Sequence, residues 1–68
     1  MRIELKKFRI GKKLSQQGMA DILGINRSTY AMVERGERRG SDSMWSTLKN
    51  TFDVPDAEMW RLMQKEEG

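Results

Sequence analysis

The 68-residue sequence has no cysteine and no histidine. Without cysteine there is no disulfide framework, and without either residue the usual zinc ligand sets are missing. The absence of histidine also removes the commonest general acid-base group, so a metalloenzyme or a thiol- or histidine-dependent hydrolase has no chemistry to stand on. The sequence therefore offers no candidate catalytic residue, metal ligand or cofactor site, and the expectation is a non-enzyme. No run of about 18 apolar residues occurs, and the N-terminal MRIELKKFR is amphipathic and charged, unlike the apolar core of a signal peptide. A cytoplasmic location with no membrane partner is expected. No repeat, low-complexity segment or internal linker divides the chain, so residues 1–68 are expected to form one small domain, near the lower size limit for folding without staples. At that length no ligand-sensing second domain is expected, and any regulation is expected from concentration, dimerisation or a separate partner.

What is present is charge, unevenly placed. Residues 1–39 carry ten Lys or Arg against four acidic residues, whereas residues 40–68 carry three against six. One basic face turned toward phosphates would give this distribution, although an ordinary solvated surface can also be uneven.

The stretch from Ser15 to Gly36, SQQGMADILGINRSTYAMVERG, reads as two short helices joined by a tight turn. Ser15 suits an N-cap, and Met19, Ala20, Ile22 and Leu23 follow at helical spacing, which predicts a helix over 16–23. Gly24 comes where a helix stops in the left-handed conformation. Asn26 is placed to cap the next helix, over 27–35. Tyr30 and Val33 give that helix a narrow apolar side facing the first, and Gly36 ends it.

These residues, as LSQxxMADxLGIxRSTYxxxERG, resemble the helix-turn-helix of the xenobiotic-response-element (XRE) family, which includes the lambda-type phage repressors and Cro proteins. The resemblance extends upstream to LKKFR at Leu5 to Arg9 and downstream to Leu48 to Val54, covering most of the chain. It implies an all-α, compact five-helix, lambda-repressor-like DNA-binding domain with its helix-turn-helix at 15–36. It further implies that Arg9 pairs with Glu34 as a structural ion pair, because a half-buried charge is costly without a partner. Gln16, with its neighbour Gln17, becomes a phosphate-contact candidate, and Gln16 is placed to brace the start of the recognition helix. The loop Glu37 to Ser41, read as short, basic and flexible, would lie on the DNA backbone, which makes Arg35, Arg38 and Arg39 phosphate candidates. Gly18 departs from the pattern, so no capping box forms with Ser15. Asp53 replaces the usual Gly but tolerates the left-handed conformation.

The flanking segments complete the five helices. Ile3 to Lys13 reads as a first helix with Leu5 and Phe8 on one side, weakened at Gly11, with Ile10 left as an exposed apolar residue. Asp42 or Ser43 is expected to cap a fourth helix whose Met44, Trp45, Leu48 and Phe52 form core. Pro55 enforces a break before a last helix over 56–65, with Met59 and Met63 covering the core. Trp60 and Met63 there offer more apolar surface than so small a core needs, a candidate dimer surface. The tail, Lys65 to Gly68, is expected to fray.

In a docked helix-turn-helix the N-terminal turn of the second helix enters the major groove, so Arg27, Ser28, Ala31 and Met32 are the expected base-facing residues. Arg27 can donate two hydrogen bonds to guanine, or reach a phosphate instead. Ser28 is unselective, and Met32 can lie against a thymine methyl. Thr29, set to the side, is a phosphate candidate. The expected function is a sequence-specific transcriptional regulator, a repressor or Cro-like protein of a phage or mobile element, binding double-stranded DNA as a homodimer on an inverted repeat. The alternative is a protein-interaction module, such as the antitoxin of a toxin-antitoxin pair, that meets a protein partner through the Trp60 face. RNA binding is weaker still, since no aromatic stacking platform is evident.

Overall fold

The computed structural model describes residues 1–66, and these form five helices without a strand: α1 (Ile3–Gly11), α2 (Gln16–Leu23), α3 (Arg27–Arg35), α4 (Asp42–Phe52) and α5 (Asp56–Met63). The expected all-α, five-helix, lambda-repressor-like architecture is thus the observed one. Glu67 and Gly68, the end of the tail expected to fray, lie outside the described residues.

Local chemistry sets most of the boundaries. Ser15 Oγ accepts from the Gly18 amide at 2.9 Å and Asn26 Oδ1 from the Thr29 amide at 2.8 Å, each satisfying a donor that the opening turn of its helix leaves free. Three helices, α2, α3 and α4, stop where the chain turns left-handed, at Gly24 (φ 72°), Gly36 (φ 83°) and Asp53 (φ 53°). A Cβ at Gly18 would come within 3.3 Å of Ser15 Oγ and 3.4 Å of Leu14 Cδ2, so the missing side chain makes room for the cap itself and for Leu14.

Three boundaries differ from expectation. α1 ends at Gly11, short of Lys13, because Gly11 is a weak helix former and Lys13 adopts φ 60°. The cap of α4 is Ser41, whose Oγ accepts from the Met44 amide at 3.1 Å, and not Asp42 or Ser43. Asp42 already lies in the first turn, where its charge favours the positive helix end. α5 stops at Met63 rather than Lys65. Beyond it the chain is no longer helical, and the Glu66 amide donates to the Met1 carbonyl at 2.7 Å while the Met1 amino group returns a bond to the Glu66 carbonyl at 2.8 Å.

The core gathers Leu5, Met19, Ala20, Tyr30, Val33, Met44, Trp45, Leu48, Val54 and Leu62. Phe8 and Phe52 close its edge, ring centroids 5.3 Å apart at 89°. On α5 the core residues are Met59 and Leu62, three apart, whereas Met63 is exposed. The phase of a helix makes the difference: Leu62 is on the buried line, and Met63 is rotated about 100° past it. Ile10 is exposed, as expected. Among the described residues no helix is long and apolar enough to cross a membrane.

Candidate nucleic-acid interface

The orientation of α3 is set by ionic and aromatic contacts on its inner side. Tyr30 and Val33 are fully buried, and Glu34, in the last turn, is 2% exposed. Arg9 of α1 meets Glu34 with two parallel bonds, Nε to Oε2 at 2.8 Å and a terminal nitrogen to Oε1 at 3.2 Å, while its other terminal nitrogen donates to the Leu14 carbonyl at 2.8 Å. The expected ion pair therefore forms in the bidentate geometry that strengthens arginine-carboxylate contacts. Burial alone would push the Glu34 carboxyl up, but hydrogen bonding from Arg9, with help from Gln16, holds it below the ordinary carboxylate value. The same bond raises Arg9. The Tyr30 hydroxyl is buried beside this pair without a hydrogen bond of ordinary geometry, and burial pushes its ionisation well above the usual phenol range.

Gln16 belongs to the same cluster. Its side-chain amide donates to Glu34 Oε1 at 3.3 Å, so it braces the end of α3 and not the start. Gln17 is exposed and donates to Asp21 at 2.7 Å, one turn along α2.

The opposite side of α3 is open. Arg27 and Ser28 are exposed, and neither side chain has a hydrogen bond or ion pair among the described residues. Ser28, Met32 and Arg35 fall at i, i+4 and i+7, which puts them on one outward line, with Met32 half-buried. Ala31 does not face outward as expected: it is 6% exposed. Three positions before Glu34, it lies on the shoulder of the buried face, and a lone methyl there is too short to reach past its neighbours. Thr29 is half-buried and lines a cleft of about 440 Å³ with Ile25, Val33, Arg38, Arg39, Gly40, Ser41 and Met44.

The segment from Glu37 to Ser41, expected to be flexible, makes several hydrogen bonds to the body. The amides of Glu37 and Arg38 both donate to the Met32 carbonyl, at 2.8 and 3.3 Å. The Trp45 indole donates to the Arg39 carbonyl at 3.2 Å. Gly40 adopts φ 83°, and a Cβ there would fall 2.8 Å from Trp45 Nε1, so both the backbone angle and the close approach require glycine. The remaining ties come from Arg2, which sequence reasoning missed. Its guanidinium donates to the Val33 and Arg38 carbonyls from one nitrogen, to the Arg39 carbonyl at 3.3 Å from another, and to the Met63 carbonyl at 3.1 Å from Nε. The side chains of Arg38 and Arg39 remain exposed beyond this anchored backbone. Arg35 is exposed as well and shares an ion pair with Glu37 at 2.7 Å. Two arginines of the basic half are thus turned inward, Arg2 buried and Arg9 with its side chain 11% exposed, while Arg27, Arg38 and Arg39 form the open cationic set around α3. Trp60, at 70% exposed, and Met63 lie on α5.

Residues 5–59 match the family described as Helix-turn-helix. The chain is 42% identical over 62 residues, 91% of its own length and 51% of the relative's, to the uncharacterized HTH-type transcriptional regulator YqaE of Bacillus subtilis (strain 168). It is 41% identical over 63 residues, 91% of its own length and 54% of the relative's, to the HTH-type transcriptional regulator AnsR of the same organism. The chain spans about half the length of these curated relatives.

Proposed function

The chain belongs to the XRE-type helix-turn-helix family, and from that premise we propose that residues 1–68 act as a DNA-binding domain that regulates transcription. The reading rests on one observation above all: the exposed first turn of α3 carries Arg27 and Ser28 with no internal partners, flanked by an anchored loop that presents Arg38 and Arg39. Unpaired donors on a convex helix are suited to base edges in the major groove, and the loop cations beside them to phosphates. In this reading Arg27, Ser28 and Met32 face bases, while Thr29, Gln17, Arg38 and Arg39 lie along the backbone. Arg35 joins them by exchanging its exposed Glu37 partner for a phosphate, and Gln16 by turning from Glu34. The action is that of a repressor or Cro-like protein of a phage or mobile element, in the cytoplasm. One recognition helix spans only a few base pairs, so binding is as a two-fold dimer on an inverted repeat, with half-sites about 34 Å apart.

The test is selection from a random duplex pool, followed by binding measured against salt. A palindromic consensus and affinity falling steeply with salt support the reading. Recovery of no consensus, together with a sedimenting monomer on every duplex, would overturn it. The second reading, a protein-interaction module of the antitoxin kind, is favoured by the exposure of Trp60 and Met63 on α5. An apolar interface there would be far less sensitive to salt than phosphate contacts.

A further inference from the structure

Arg2 is 4% exposed, and among the described residues its guanidinium has no carboxylate partner. Burial of an arginine without a counter-ion is costly unless its donors are satisfied, and here they are satisfied by backbone carbonyls from three separate segments. Val33 lies in the last turn of α3, Arg38 and Arg39 in the loop after it, and Met63 at the end of α5. The backbone amide of Arg2 adds a bond to the Glu34 carbonyl at 2.8 Å. Its charge therefore sits at the C-terminal pole of α3, where unpaired carbonyls concentrate negative potential. The guanidinium carbon lies over the Trp45 ring, 5.5 Å from its centre, and the indole holds the Arg39 carbonyl from its own side.

We propose that Arg2 is a positioning residue for DNA binding: by drawing the carbonyls of Arg38 and Arg39 inward, it holds the 36–40 loop in one conformation and presents both exposed side chains to the phosphate backbone already ordered. The proposal rests on the DNA-binding reading for its functional half only. Arg38 and Arg39 have their own backbone oxygens held by the buried guanidinium, so ordering the loop and placing the two cations are a single event. A lysine at position 2 keeps the charge but is a point donor, without the planar fork that reaches several carbonyls at once.

The experiment compares wild type, Arg2→Lys, Arg38→Ala/Arg39→Ala and the triple variant. Backbone order parameters from nitrogen-15 relaxation are measured for residues 37–40, and the salt dependence of binding is measured on a selected duplex. In wild type the loop is expected to be as rigid as α3, with order parameters of about 0.85, falling below about 0.6 in Arg2→Lys while α2 and α3 stay unchanged. The salt slope is expected to fall by about two phosphate contacts in Arg2→Lys and in the double variant alike, with no further loss in the triple. A lower melting temperature with unchanged slope and unchanged loop order would show Arg2 to be a stabilising residue only and overturn the proposal, as would a mobile loop in wild type. The wild-type relaxation measurement decides the ordering half even if Arg2→Lys fails to fold. Failure of wild type to bind any duplex defeats the DNA-binding reading, and a wild-type loop that is nonetheless rigid and loosens in Arg2→Lys leaves the ordering half standing.

Discussion

Arg2 and Arg9 on one side, and Arg27, Arg38 and Arg39 on the other, are the same residue in two environments. The first is buried and the second largely so, one spanning carbonyls at the end of α3 and in the loop after it and the other paired with Glu34. The other three are exposed and have no internal side-chain partner among the described residues. The difference teaches that a count of basic residues overstates the surface available to phosphates. Part of the positive charge in the N-terminal half is consumed in building the frame.

The sharpest way to break that contrast is to remove an inward-turned member. Arg9→Ala leaves the Glu34 carboxylate buried and unpaired, and the expected loss is about 3 to 5 kcal/mol, measured by urea denaturation. A domain of this size has a total stability of about 3 to 10 kcal/mol, so the variant is expected to be at or near unfolding. If the pair matters as a pair, a cycle with Glu34→Ala shows strong coupling, whereas additive losses would reduce Arg9 to ordinary packing.

The same pair gives stability a direction in pH. Glu34 is held below its unfolded value, so its contribution is fully present above about pH 4.3 and is lost as pH falls through the lower folded value. Acid unfolding of wild type should steepen below about pH 4.3, and Glu34→Gln should remove that component; an identical acid limb in both proteins would contradict it.

Removal of an exposed member should leave the fold alone. For Arg27→Ala, stability is expected to change by no more than about 0.5 kcal/mol. DNA binding should weaken by about 1 to 3 kcal/mol, with preference relaxed at one base position per half-site. Uniform weakening on all sequences would instead move Arg27 to the phosphate set. Arg38→Ala is expected to have the smallest effect, a salt slope lower by about one with the base preference kept, read from binding isotherms at several salt concentrations.

The contrast also explains what could be read from the residues alone. The five helices were legible because their signals are local: Ser15 and Asn26 at helix starts, Gly24 and Gly36 at stops, and apolar spacing between. The Arg9 to Glu34 pair was legible through the family resemblance, since both partners are side chains with matching positions. Arg2 was not, because it binds backbone carbonyls that every residue possesses, some of them in α3 and α5, far along the chain. The ties of the loop were not legible for the same reason: its basic, glycine-containing composition gives no sign of the bonds that Arg2 and Trp45 make to its carbonyls. Ala31 and Leu62 were lost to helix phase. Over helices as short as α3 and α5, a turn of about 100° decides between a buried and an open face, and composition does not fix it.

The most direct test is chemical-shift mapping of the chain titrated with its selected duplex. The expected result is a contiguous set of perturbations at Gln16, Arg27, Ser28, Met32, Arg38 and Arg39, with the Arg9 to Glu34 ion pair retained, since that pair neither opens nor meets DNA. Perturbations centred on Trp60 and Met63 with α3 silent would contradict it and move the binding function to the face of α5.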